Sequence, residues 1–274
     1  MGIPSIPKIN RLLTSVSGLA STDPAAAYIA AITATGATVT PTQRSAINTF
    51  ITTGETEGWY SSLKRLYLPI WASAAPNAID MIGRTSGTFN GTVTHSAGFV
   101  ASDGITGYFD IGSSMASHGL SRSSGWLGAI MKTAIANQQY LGAQNGASAV
   151  ELLRHTTTGI TTDYNDSGSG RNSSLVPNRS GIISASRFSG DMKHFQRTTS
   201  GRSNIGTFTY ADTGSMTSLN AFALAKNSSG VAASGGTSEM GGWWFGTGVS
   251  DAADLAFTLA LKNLWETCTG LTLP

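Results

Sequence analysis

The chain has 274 residues, of which 12% are charged, and its 17 basic and 15 acidic residues give a formal net charge of +2. Soluble domains average about 25% charged residues; so balanced and sparse a set excludes a phosphate-neutralising surface for nucleic acid. An apolar content of 40% with 33 glycines excludes a disordered tail and suits short strands joined by tight turns.

Residues 1–16 carry Ile3, Ile6, Ile9, Leu12 and Leu13 with two prolines. That composition reads as an extended arm that orders against a partner. Asp23-Pro24 opens a helix, with Asp as N-cap and Pro at the first helical position. Tyr28, Ala31 and Ile32 come next at helical spacing, and a turn at Gly36 ends it. Thr40 and Gln43 form a capping box for a second helix, whose apolar face is Ile47, Phe50 and Ile51 and whose stop is Gly54. A third helix is predicted from Glu57, with Trp59, Leu63, Leu66 and Tyr67 on one stripe, ending at Leu68-Pro69. The three helices, all within residues 20–70, form either a docking module for a partner or a cap packed on the rest of the chain.

Ala72 to Ala78 is a linker-like stretch holding Pro76. Beyond it the hydrophobic period changes from helical to two. Phe89 to His95 and Ile105 to Ile111 alternate. Further strands are predicted at 126–133, 140–143, 149–155, 160–164, 182–188, 207–210, 219–226 and 240–245. Turns such as Asp103-Gly104 and Asn145-Gly146 separate them. With no crossover helices visible, this predicts a mainly β chain: an antiparallel β-sandwich or jelly roll over about residues 85–248. Trp243 and Trp244 should point to opposite faces, one into the core and the other exposed or covered by the N-terminal helices. A last helix is predicted near residues 250–267, N-capped by Ser250, with Asp251 and Asp254 at its positive end. The expected organisation is an arm with short helices over 1–75 and a sandwich with a C-terminal helix over 76–274.

The residues that could carry chemistry are few. Only five glutamates occur: Glu55, Glu57, Glu151, Glu239 and Glu266. Glu151 and Glu239 each stand alone on a predicted strand, and Asp110 or Asp163 would complete a glycosidase pair only through tertiary structure. No Gly-x-Ser-x-Gly turn or phosphate loop is present. His95, His118, His155 and His194 show no ligand spacing. Cys268 is the single cysteine, so no disulfide forms within the chain, and it reads as a small buried hydrophobe. The densest basic stretch, Arg187, Lys193, Arg197 and Arg202, reads as scattered solvated side chains. Asp163, Asn165 and Asp166 open like a calcium loop but lack its closing glutamate. The alternative is an ordinary polar turn, and no other cofactor is expected. No run approaches ~18 apolar residues, and no signal-peptide pattern accompanies Lys8 and Arg11, so a cytoplasmic origin and no membrane partner are expected.

Several segments carry a resemblance. Asp23 to Ala31, Arg44 to Ile51 and Gly58-Trp59 resemble the helical leader of bacteriophage virion proteins, which precedes a concanavalin A-like, laminin-G-like jelly roll. Ala74 to Ala78 would be the join. Gly98 to Gly112 is similar to the early paired strands of that fold, and Trp243-Trp244-Phe245 with the helix from Ser250 fits its end. The resemblance implies a non-enzymatic virion protein on the particle surface, as a tail, fibre or capsid-decoration element. Its expected partners are other virion proteins and host surface glycans. The rival reading is a carbohydrate-active enzyme or free lectin of the same fold. Self-association as a trimer or symmetric lattice is also expected. Its contacts would be Ile6, Ile9, Leu12 and Leu13 of the arm and the apolar set Trp59, Leu63, Tyr67, Ile70 and Trp71.

Overall fold

A computed structural model describes residues 25–274 except 134, 136, 137, 147, 156–158, 165–171, 176–179, 210–215 and 234. The helices are α1 (Ala26–Ala34), α2 (Pro41–Thr56), α3 (Ala74–Asn77) and α4 (Asp251–Thr269). The first nine strands are β1 (Leu63–Tyr67), β2 (Thr88–Asn90), β3 (Val93–Ser96), β4 (Phe99–Ser102), β5 (Tyr108–Asp110), β6 (Gly125–Met131), β7 (Gln139–Asn145), β8 (Ser148–His155) and β9 (Gly159–Tyr164). The rest are β10 (Asn172–Leu175), β11 (Gly181–Phe188), β12 (Asp191–Thr198), β13 (Gly201–Thr209), β14 (Phe222–Ala223), β15 (Lys226–Ser228), β16 (Val231–Ala233) and β17 (Glu239–Gly246).

These strands form two sheets. One runs β13-β12-β11-β6-β17-β4-β3, with β1 also on β17; the other runs β10-β9-β8-β7-β14-β5-β2, with β15 and β16 joined to it. Pairing is antiparallel except where β15 meets β7. The chain is thus an antiparallel β-sandwich with a C-terminal helix, as the sequence predicts. The first sheet is the middle layer of three. Alternate residues of β6 and β17 go to different cores: Leu127, Ala129, Trp243 and Phe245 face the other sheet, whereas Trp126, Ile130 and Trp244 face the helices. All seven residues of β6 are buried, because burial on both faces replaces the usual apolar-polar alternation. Trp243 and Trp244 do point opposite ways, and Phe257 of α4 covers Trp244.

The helical core closes on Phe257 of α4. Its ring lies 4.3 Å from Trp126, 5.0 Å from Trp244, 5.1 Å from Trp59 and 6.0 Å from Phe50, centroid to centroid. Two glycines make room for the indoles. A Cβ on Gly128 would come within 2.0 Å of the Trp244 ring, and one on Gly54 within 2.5 Å of Trp59.

Local signals hold in part. Thr40 and Gln43 make the reciprocal capping box, and Ser250 caps α4. Gly270 ends α4 in the left-handed region at φ 70°. The first helix begins at Ala26, and Asp23-Pro24 lies outside the described residues. The third predicted helix is a correction: Leu63–Tyr67 is the strand β1, paired with β17 from Leu63↔Gly246 to Tyr67↔Trp243. A register shift between Leu63 and Arg65 places Leu63 and Leu66 in the same core, which imitates helical spacing. β1 therefore joins the middle sheet from upstream of the 75/76 boundary. Asp80 holds it there, accepting from the Leu66, Ile82 and Gly83 amides and pairing with Arg65 at 3.0 Å. Two smaller differences come from backbone shape. Ala74–Asn77 is helical rather than a linker. The predicted strand 219–226 breaks at Leu224, whose φ is 66°.

Phe257→Ala should cost about 3–5 kcal/mol, as for buried large-to-small changes. Gly128→Ala should cost about 1–3 kcal/mol by overpacking against Trp244. Denaturant midpoints measure both, and a Gly128→Ala chain as stable as the parent would mean that Trp244 does not fill this site.

Candidate functional site

Thr88, Asp110, Phe222, Gly142, Glu151 and Asp163 are successive register partners across β2, β5, β14, β7, β8 and β9. Directly opposed residues share a sheet face. The adjacent row, Phe89, Phe109, Ala223 and Leu141, lines the core between the sheets. Thr88, Asp110 and Phe222 therefore belong to the outer face, turned away from the helices. Glu151, alone in the sequence, stands directly opposite Asp163. Directly opposed positions on neighbouring antiparallel strands have Cα atoms about 4.5–5.5 Å apart, a neighbourhood that the sequence spacing does not show.

At the other end of the row Tyr108 and Phe222 stack, with ring centroids 4.6 Å apart and planes 28° from parallel. Asp110 Oδ1 accepts from the Gly112 amide at 2.7 Å, which fixes that carboxylate beside the half-exposed Tyr108. Phe222 is only 4% exposed, so it is the Tyr108 ring beside an ordered hydrogen-bond acceptor that suits a ligand with both apolar and hydroxyl faces.

On the opposite side of the molecule, α2 and α4 leave a groove of about 700 Å³. Its lining is mostly apolar, with Ala46 and Phe50 from α2 facing Ala260 and Leu264 from α4. Leu259 lies on it, 47% exposed.

The expected assembly contacts need correction. Trp59, Leu63, Tyr67 and Trp71 are 0%, 1%, 0% and 8% exposed, and Ile70 is buried too. Tyr67 packs on Phe109 at 4.9 Å and Trp243 at 5.9 Å, and Trp71 sits 6.3 Å from Tyr28. They fill this chain's own cores and leave no apolar patch there. Ile6, Ile9, Leu12 and Leu13 lie outside the described residues. So do Asn165 and Asp166 of the calcium candidate, while Asp163 lies in β9. Among the described residues no cluster of three His, Cys, Asp or Glu side chains is placed to hold a metal, and no helix is long and apolar enough to cross a membrane.

The basic stretch is a second correction. Arg187 is buried, and Lys193, Arg197 and Arg202 receive α4. Arg202 pairs with Asp254 at 2.9 Å, Arg197 donates to Thr258 Oγ1 and the Leu255 carbonyl, and Lys193 meets Asp251 at 3.0 Å. Asp254 is fully buried and also accepts from Trp126 Nε1 at 2.9 Å. Burial pushes its carboxyl pKa up, opposed by Arg202. Cys268 is packed against the helical core, where burial pushes its thiol up to about 12.

His194 is the other buried titratable group that sequence spacing could not place. From β12 it meets Thr162 of β9 and Ser174 of β10, the latter at 2.8 Å, so its two ring nitrogens join the sheets. Complete burial holds its pKa down to about 3, which leaves a neutral ring suited to pinning the sandwich.

No family model matches the chain, and no curated protein matches it. Solved structures with some likeness include domain 4 of AbnA, a GH43 extracellular arabinanase from Geobacillus stearothermophilus, in complex with arabinotriose. It is 15% identical over 70% of this chain and 100% of that one, with a TM-score of 0.46. The Ruminococcus gnavus IT-sialidase CBM40 bound to α2,3 sialyllactose is 12% identical over 63% of this chain and 95% of its own, with a TM-score of 0.42. Trypanosoma rangeli sialidase in complex with sialic acid is 9% identical, covering 78% of this chain but 38% of its own, at 0.47. Likeness at this distance carries no inference about what this chain binds.

His194 gives a signed prediction. An unfolded histidine titrates near ~6.5, so between about 6.5 and 3 the unfolded state binds the extra proton. The stability tied to the neutral ring is complete above about 6.5 and falls as pH drops towards 3. The raised pKa values of Asp80 and Asp254 act oppositely, returning stability as those groups protonate. His194→Gln should therefore remove up to about 1.4 kcal/mol per pH unit from the acid slope. Urea midpoints at neutral and mildly acid pH test this, and equal pH slopes in the two chains would contradict it.

Proposed function

We propose that the chain is a non-enzymatic structural protein displayed on the outside of a bacteriophage particle, with its outer sheet turned to host surface glycans. The observation that carries the binding part is on the outer face, where the partly exposed Tyr108, stacked on the buried Phe222, adjoins the ordered Asp110 carboxylate. A sugar ring offers an apolar C–H face to aromatic side chains and hydroxyl donors to carboxylates. The particle part is supported by the resemblance of the leader and sandwich to phage virion proteins. In this reading the helical layer faces inward, copies repeat in a closed or lattice symmetry, and the position held is in the tail, a fibre or the capsid surface.

A second reading has its own observation. The backbone register sets Glu151 opposite Asp163, and glycosidases work with two carboxyl groups. In this reading the chain is a carbohydrate-active enzyme of the same fold.

Purified chain on an array of host envelope polysaccharides should bind, and Tyr108→Ala and Asp110→Asn should each weaken binding about tenfold or more with unchanged melting. No binding to any glycan would end the ligand assignment. Release of sugar products that stops in Glu151→Gln would replace the first reading with the second. Mass spectrometry of fractionated particles should recover the chain in mature virions, and its absence from them would remove the particle assignment.

A further inference from the structure

We infer that the groove between α2 and α4 is the seat of this chain's own residues 3–13. The groove is large and apolar, and among its described lining residues Glu57 alone is charged. Leu259 of α4 stands 47% exposed on its lining, although large aliphatic side chains grouped on an open surface usually mark a contact.

The sequence holds a segment of matching chemistry. Ile3, Ile6, Ile9 and Leu12 recur at every third residue, with Pro4 and Pro7 among them. A three-residue period with prolines is that of polyproline II, which would line these four side chains along one edge. Such an edge fits a groove between two helices. Lys8 and Arg11 in the same segment are opposite in sign to Glu57.

The point of entry favours this groove over one on a second copy. The Ala25 amide donates to Asn48 Oδ1 at 3.2 Å, so the chain joins the described fold on the flank of α2. A shallow depression that includes Asn48 and Thr52 crosses α2 and shares Pro41, Ser45, Thr49 and Thr53 with the groove. Residues 14–24, mostly small and polar, separate that segment from Ala25 in the sequence. A helix is about 10–12 Å across, and each extended residue spans up to ~3.3–3.6 Å, so roughly four residues are needed. A short tether raises the local concentration of the segment to the order of mM, above that supplied by other copies in dilute solution.

The test uses the full chain with a benzophenone side chain in place of Ile9. Irradiation followed by peptide mapping should give a product of monomer mass, crosslinked to residues 41–57 or 256–267. Leu259→Lys should cut the yield about fivefold or more, and Thr49→Lys on the groove rim should reduce it as well. Leu255→Lys, equally exposed on α4 but off the groove lining, should leave it unchanged, which separates loss of the groove from loss of the fold. Crosslinks to other regions, a product of dimer mass, no crosslink, or yields indifferent to both groove variants would each overturn the inference.

Discussion

The ring of Phe257 lies within 4.3 to 6.0 Å of four others, so α4, α2 and the middle sheet meet at a single apolar contact. That contact requires the middle sheet to be apolar on both faces, and this dictates the sequence of its central strands. β6 and β17 alternate not between polar and apolar but between two cores. They also alternate in size, since the Trp244 indole and the Ile183 carbonyl leave no space for a side chain at Gly128. Small residues here are the complement of large ones, as native packing density demands. The three layers are consequently interdependent: moving α4 would open the helical core and leave Trp126 and Trp244 uncovered.

Apolar contact alone would let α4 slide along the sheet, because the hydrophobic effect has no direction. Polar groups supply the register. Asp254 accepts from both Trp126 and Arg202 at 2.9 Å, and Arg197 reaches Thr258 one turn later. A buried carboxylate is costly unless paired and hydrogen-bonded, and here its partners come from two strands of the sheet. The burial that raises its pKa is thus the same burial that makes displacement of the helix expensive. A chain with only 12% charged residues commits several of them to this seam.

This division explains what the sequence made legible and what it did not. Capping at Thr40 and Ser250 is a contact over three residues, so it can be read directly, and the two-residue period of the sandwich is likewise local. β1 was misread because a register slip at Leu63/Arg65 gave a strand the spacing of a helix. Once β1 lies in the sheet, Trp59, Leu63 and Tyr67 become core rather than surface. The basic residues of β12 and β13 look solvated in the sequence because their partners on α4 are some 50 to 60 positions away: Arg202 with Asp254 is a separation of 52, and Lys193 with Asp251 one of 58. Distance along the chain, not weakness of the interaction, hid them.

The candidate site was hidden for a related reason. Its members arise on several strands, Tyr108 and Asp110 on β5 and Phe222 on β14, and register brings β14, β7, β8 and β9 into line with them. Closely spaced acids on one strand would have been visible; acids dealt one to a strand were not. A row of this kind has a mechanical consequence. Each position is fixed by the backbone of its neighbours rather than by a loop, so the row inherits the rigidity of the sheet. The inner side of that sheet is held in turn by the core that Phe109, Ala223 and Leu141 share with Trp243 and Phe245. The helices reach the outer face only through that core and the middle sheet. The outer face can therefore vary its polar residues with little effect on the helical seam, whereas β6 and β17 must satisfy both cores at once.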